Sequence, residues 1–182
     1  SLLVYEKGGV LVAEQKSLLK IVVTVIAVLL IILVGIFGYL NAKGEKLNEG
    51  QLRIRAGNEI ISEVTLEEVR TLPVVNKKMV INSTGGLTKH KFTGTPLLEI
   101  FNHVDPDIVK QYNRVITVGV DKYTSGVDME EVLQKNNVLL VYEDNGMPLK
   151  SKSGDKATMR IVIANDMYGQ RFTNYLVEIQ LE

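Results

Sequence analysis

The stretch VINSTGG, Val80 to Gly86, passes from apolar, strand-like residues into Ser83, Thr84, Gly85 and Gly86, with no side chain larger than threonine at its end. A glycine pair allows positive φ and close backbone approach, so such a turn can admit an anion, a cofactor or another strand. Lys89, His90 and Lys91 follow at once and would place positive charge beside an anion held by backbone N–H groups and the two hydroxyls. A tight turn with a solvated basic edge accounts for the same residues, because exposed lysines guard strand edges.

Other chemistries are excluded by composition. The 182 residues contain no cysteine, which removes disulfides, iron–sulfur ligation, thiolate zinc sites and a cysteine nucleophile together. His90 and His103 are the only histidines, too few for a multi-histidine metal site within one chain. The 21 basic and 21 acidic residues cancel, and no basic run with interleaved aromatics offers a phosphate-tracking surface, so nucleic acid is not an expected partner. The carboxylate pairs Glu67/Glu68, Glu130/Glu131 and Asp105/Asp107 stand at expected helix starts or a turn, where capping and the helix dipole explain them. No Ser/His/Asp order, phosphate loop or metal-ligand helix emerges.

The elements that must position the turn begin with a membrane segment. IVVTVIAVLLIILVGIFGYL, Ile21 to Leu40, runs twenty residues without a charge and at helical rise spans ~30 Å of hydrocarbon. It predicts a single transmembrane helix in contact with the lipid bilayer, too long for the apolar core of a signal peptide and without a small-x-small cleavage site close behind it. Lys7, Lys16 and Lys20 before it and Lys43, Lys46, Arg53 and Arg55 after it leave orientation undecided by charge. Residues 1–20, with Gly8-Gly9 between two apolar runs, fit a small hairpin or an interfacial segment. Residues 41–50, polar and glycine-bearing, read as a linker to a soluble domain at 51–182.

That domain alternates short strands with short helices. QLRIRAG alternates apolar and charged residues as a strand with one wet face, and KKMVINS is the strand that leads into the turn. Thr65 with Glu68, and Asp128 with Glu131, are capping boxes. Thr95 is the expected N-cap of a helix with Pro96 in its first position and Leu97, Leu98 and Phe101 as its buried stripe. RVITVGV, NNVLLVYED, ATMRIVIA and NYLVEIQL supply further strands, with a turn at DNGMP. About six or seven strands with helices too short for a doubly wound sheet predict a mixed-sheet α+β fold.

Three strings in series carry a family likeness: FTGTPLLEIF; GVDKYTSGVDMEEVLQKNNVLLVYEDNGMPL; and MRIVIANDMYG with YLVEIQL. The aromatic-x-Gly-x-Pro-Leu element before a helix, the Asp-x-Tyr after a strand and the Tyr-x-x-Asn-Gly-x-Pro-Leu turn occur in an order and spacing that resembles the molybdopterin-binding oxidoreductase domain of the sulfite oxidase type. The likeness covers most of residues 51–182. It implies that fold, and it implies that VINSTGG is the cofactor loop, since in the family the strand before aromatic-x-Gly-x-Pro-Leu ends in Cys-x-Gly and the cysteine thiolate binds molybdenum. Ser83 stands at that position. A serine hydroxyl is a hard ligand of high pKa where the thiolate is soft and easily deprotonated.

Two further departures agree. QLRIRAGNEI lacks the Arg/His-containing stretch that helps hold the family cofactor, and IANDMYG with FTNYL replaces a proline-containing loop and a lysine and tryptophan. The resemblance also places Arg160 at a family arginine position and lets Arg160 and Arg171 face the old cavity, although an ion-pair role for Arg160 and a solvent role for Arg171 account for them equally. Tyr123 and Tyr142 belong to the motifs and are expected to pack.

The expectation is therefore a vestigial or anion-binding pocket made by Ser83, Thr84, Gly85, Gly86, His90, Lys91, Arg160 and Arg171, with no catalytic residue, no metal and no cofactor, molybdopterin being the alternative. The function it implies is that of an anchored, non-catalytic accessory or assembly subunit of a membrane complex, with other subunits as partners and the soluble domain outside the cytoplasm. The alternatives are a cofactor-dependent electron-transfer subunit and a small-ligand or anion sensor.

Overall fold

A computed structural model describes residues 2–42, 47–83 and 85–182. The chain divides into two compact units, Ser1–Lys46 and Leu47–Glu182.

The first unit is one helix, α1 (Leu2–Ala42). Its segment Leu19–Tyr39, of mean hydropathy 3.2, is long and apolar enough to cross a membrane. The hairpin expected within residues 1–20 does not form. Gly8 and Gly9 each cost a helix about 1 kcal/mol relative to alanine. Extending an existing helix adds a hydrogen bond per residue without a new nucleus, so the long apolar stretch carries the helix through them.

The second unit holds two five-stranded sheets and short helices. β1 (Gln51–Ala56) and β2 (Glu59–Thr65) form a hairpin, followed by α2 (Leu66–Val69). β3 (Val75–Ser83) and β4 (Gly86–Pro96) form a long second hairpin that leads into α3 (Leu97–Val104) and α4 (Ile108–Gln111). Then come β5 (Arg114–Gly119), β6 (Thr124–Asp128), α5 (Met129–Leu133), β7 (Val138–Asp144), β8 (Met147–Pro148), β9 (Arg160–Ile163) and β10 (Leu176–Leu181). One sheet has the order β2-β1-β10-β5-β6, mixed because β1 and β10 run parallel. The other has the order β3-β4-β7-β8, with β9 also paired to β7. The described residues thus hold ten strands rather than six or seven. The strands beyond those read from the sequence are β2, β4, β6 and β8, polar or short pieces whose patterning alone does not announce them; β4, at eleven residues, is the largest.

Both capping boxes form, at Thr65/Glu68 on α2 and Asp128/Glu131 on α5. Thr95 does not cap α3. It continues the β4 ladder opposite Leu140, is fully buried, and spends its hydroxyl on the Val69 carbonyl at 3.3 Å, so Pro96 takes the cap position. The buried stripe of α3 is Leu97, Ile100 and Phe101, with Leu98 only partly covered. The motif glycine Gly94 sits where β4 approaches β7: a Cβ there would lie 2.3 Å from the Leu140 carbonyl oxygen, so only glycine fits. Asn145 and Gly146, at φ 52 and 78, give the DNG turn the left-handed pair of a type I′ hairpin. Residues Asn48 to Gly50, expected within the linker, are fastened to the domain: the Glu49 carboxylate accepts from Lys152 N–H at 3.0 and 3.1 Å, and the Gly50 carbonyl from Leu66 N–H.

Candidate functional site

The turn between Ser83 and Gly86 joins two strands. Ser83 pairs with Gly86, and Gly86 takes φ 102, so the glycines reverse the chain between β3 and β4. Thr84 lies outside the described residues. Gly85 and Gly86 are exposed at the tip.

Below the tip the hairpin contributes Ile81, Asn82 and His90 to a cavity of about 610 Å³. Arg160, the first residue of β9, forms another wall, and the loop leading to β10 closes it with Tyr168, Gln170, Phe172 and Asn174. Three local devices hold that loop. Asn82 and Tyr168 form an isolated parallel bridge. The motif residue Tyr123 donates its hydroxyl to the Gln170 carbonyl, while Asp121 accepts the Tyr123 N–H at 3.1 Å. Arg171 forks between two carboxylates: both Glu131 oxygens at 2.9 Å and Asp166 Oδ2 at 2.9 Å. Hydrogen bonding to Arg171, ahead of that from the Asp128 N–H, holds the Glu131 carboxyl below its usual range, and the same bonds raise Arg171. Arg171 is therefore a clamp for the loop, and its guanidinium does not line the cavity.

His90 stacks on Phe92 with ring centroids 5.1 Å apart and 7° between planes. Its Nδ1–H donates to Asp144 Oδ2 at 2.6 Å, and Nε2 meets the Thr88 hydroxyl at 2.9 Å, so both ring nitrogens are engaged. Asp144 Oδ1 is buried with no hydrogen-bond partner, as is Arg160 Nε. Beyond the backbone pairing of Arg160 with Val141, its side chain makes no hydrogen bond or ion pair among the described residues. Burial disfavours its charged form, and the nearby negative charge of Asp144 counteracts this. Lys91 is placed elsewhere: with Lys78 and Lys89 it borders a shallower depression of about 330 Å³ on the other side of His90.

Of the expected pocket residues, the structure thus brings His90 and Arg160 to one cavity, sets Ser83 beside the lining residue Asn82, and leaves Lys91 and Arg171 outside that cavity. Asn82, Asp144, Gln170 and Asn174 were not anticipated. The adjacency of Asn82 to Ser83, and of Asp144 to the Asn-Gly turn, were the available signals.

The oxidoreductase molybdopterin binding domain profile matches residues 49–182. The chain belongs to this family. Among solved structures, the sulfane dehydrogenase SoxCD from Paracoccus pantotrophus is similar at a TM-score of 0.55 and 14% identity, over 75% of this chain and 39% of that one. At that identity the likeness is one of fold, and the chain spans about two fifths of the SoxCD chain. No curated protein matches the sequence.

The donors around the cavity do not fit the family's molybdenum centre. There is no thiolate in the chain, no cluster of three metal-ligating side chains among the described residues, and no free nitrogen on His90. What the cavity offers is a guanidinium, side-chain amides and an apolar floor, which suits binding of an anion.

Proposed function

We propose that this member of the molybdopterin-binding family is held in a membrane by Leu19–Tyr39 and acts by binding rather than by molybdenum redox chemistry, as a non-catalytic accessory or assembly subunit of a membrane complex with its domain outside the cytoplasm. The observation that carries the proposal is the donor set of the cavity: the family fold surrounds a pocket whose one histidine is tied to Asp144 and Thr88 and which no thiolate can reach. The sequence resemblance that places Ser83 where the family carries its metal-binding cysteine supports it. The apolar helix supports the anchor, because an apolar segment of 21 residues with every side chain uncovered needs lipid or protein around it.

Purification of the full chain in mild detergent, with mass spectrometry of what accompanies it and metal and pterin analysis of the same sample, tests the reading. Stable companions without molybdenum or pterin are expected. A solitary chain under conditions that preserve membrane complexes would count against the accessory role, and bound pterin would favour the electron-transfer alternative. The intact cavity favours a second role, ligand sensing within the same complex.

A further inference from the structure

We infer that the cavity between the β3–β4 hairpin and the loop before β10 is a binding site for a small organic monocarboxylate with an apolar body, its carboxylate seated on Arg160. The inference rests on the proposed absence of a metallocofactor from the same cavity.

An uncompensated cation away from water is costly, and the cost is relieved when an anion with matching hydrogen-bond geometry arrives. Arg160 is such a cation: partly buried, with no side-chain hydrogen bond or ion pair among the described residues, and with its Nε sealed off and unpartnered. Its neighbours neutralise it only in part. Asp144 acts on it through space, but that carboxylate already accepts from His90 at 2.6 Å. A planar guanidinium edge facing a cavity matches a carboxylate in a two-pronged geometry.

The rest of the wall selects the ligand's charge and body. A dianion would bring its second charge towards Asp144 and be repelled, so a single negative charge fits best. Ile81 and Phe172 form an apolar floor, and Phe172 is 8% exposed, buried enough to hold its ring in place. An inorganic anion would leave that floor wet. Asn82, Gln170 and Asn174, exposed residues whose side-chain amides have no protein partner among the described residues, border the cavity and offer donors and acceptors for the ligand's polar edge. A cavity of about 610 Å³ lies within the range of small-molecule sites, mostly apolar with a few fixed polar groups.

The test uses the full chain in detergent, assayed first for molybdenum and pterin, then titrated with benzoate, its neutral isostere benzamide, sulfate and phosphate, following the thermal midpoint. A ligand that binds only the folded state raises that midpoint in a saturable way. Benzoate is expected to bind at least tenfold more tightly than benzamide and than either inorganic anion. Arg160→Met is expected to weaken benzoate roughly 10- to 100-fold, with Arg160→Lys between the two, since lysine keeps the charge and loses the fork. Phe172→Leu should weaken benzoate and benzamide alike. Equal response to benzoate and benzamide would overturn the role of Arg160. Equal or stronger response to sulfate or phosphate would overturn the organic ligand and leave an inorganic-anion site. No saturable response in metal-free protein refutes this inference alone, whereas molybdenum and pterin in the purified protein refute the preceding proposal as well. If Arg160→Met does not melt cooperatively, Arg160→Lys and the benzoate-to-benzamide ratio in the unmodified chain decide.

Discussion

Replacing Arg171 with methionine should loosen the loop that closes the cavity by a calculable amount. The guanidinium makes bonds of 2.9 Å to both Glu131 oxygens and to Asp166 Oδ2, and Glu131 in turn closes the capping box on α5. Charge-assisted bonds contribute about 1.5–3 kcal/mol each when shielded, and much less when wet. The side chains here are 39%, 24% and 16% exposed for Arg171, Glu131 and Asp166, an intermediate setting. Their combined loss should come to about 2–3 kcal/mol, which for a chain of this size lowers the melting midpoint by roughly 5–10 °C. Acid should erode the difference. Because Arg171 depresses the folded-state pKa of Glu131, the linked stability is present above the unfolded carboxyl value, about 4.3, and disappears as pH falls through the lower folded value. Thermal melts of both proteins from pH 7 to pH 3 measure this. A shift below 2 °C at pH 7, or a gap that stays constant into acid, would refute the clamp.

Gly94→Ala should cost more than about 3 kcal/mol or prevent folding, measured by urea denaturation, because the new methyl would sit 2.3 Å from the Leu140 carbonyl oxygen and 2.6 Å from the Val141 Cα, backbone atoms that cannot turn aside. Thr65→Ala should lower stability by about 1 kcal/mol in the same assay, the loss of one side of a formed capping box. Arg160→Met should raise the stability of ligand-free protein by about 1 kcal/mol, since an apolar chain replaces a partly buried cation whose side chain has no hydrogen-bond or ion-pair partner among the described residues. A destabilised Arg160→Met protein would show that Asp144 compensates the arginine fully.

Much of the fold was legible because local signals and tertiary needs coincide. The capping boxes at Thr65/Glu68 and Asp128/Glu131, the buried run of β7 and the Asn-Gly turn after it are each specified within a few residues. The α3 cap was displaced by one residue because Thr95 had a tertiary use, the Val69 carbonyl, that no local pattern reveals. The N-terminal hairpin was misjudged because Gly8-Gly9 weighs less than the cooperativity of a helix extended from a long apolar segment. The site was the least legible. His90 and Arg160 are 70 positions apart in sequence and meet only because β4 and β9 both pair with β7. The hairpin register that turns His90 inward and Lys91 outward follows from pairing Met79 with His90 and Lys78 with Lys91, which composition does not state. Arg171 is diverted by Glu131 and Asp166, carboxylates that sequence spacing assigned to capping or left unremarked.

The central claim, that this domain keeps the family fold and has exchanged molybdenum chemistry for binding, is tested most directly by metal and pterin analysis of the full chain purified in mild detergent from cells able to make the cofactor. The account predicts molybdenum far below one atom per chain and no pterin fluorescence after denaturation. One molybdenum per chain accompanied by pterin would contradict it.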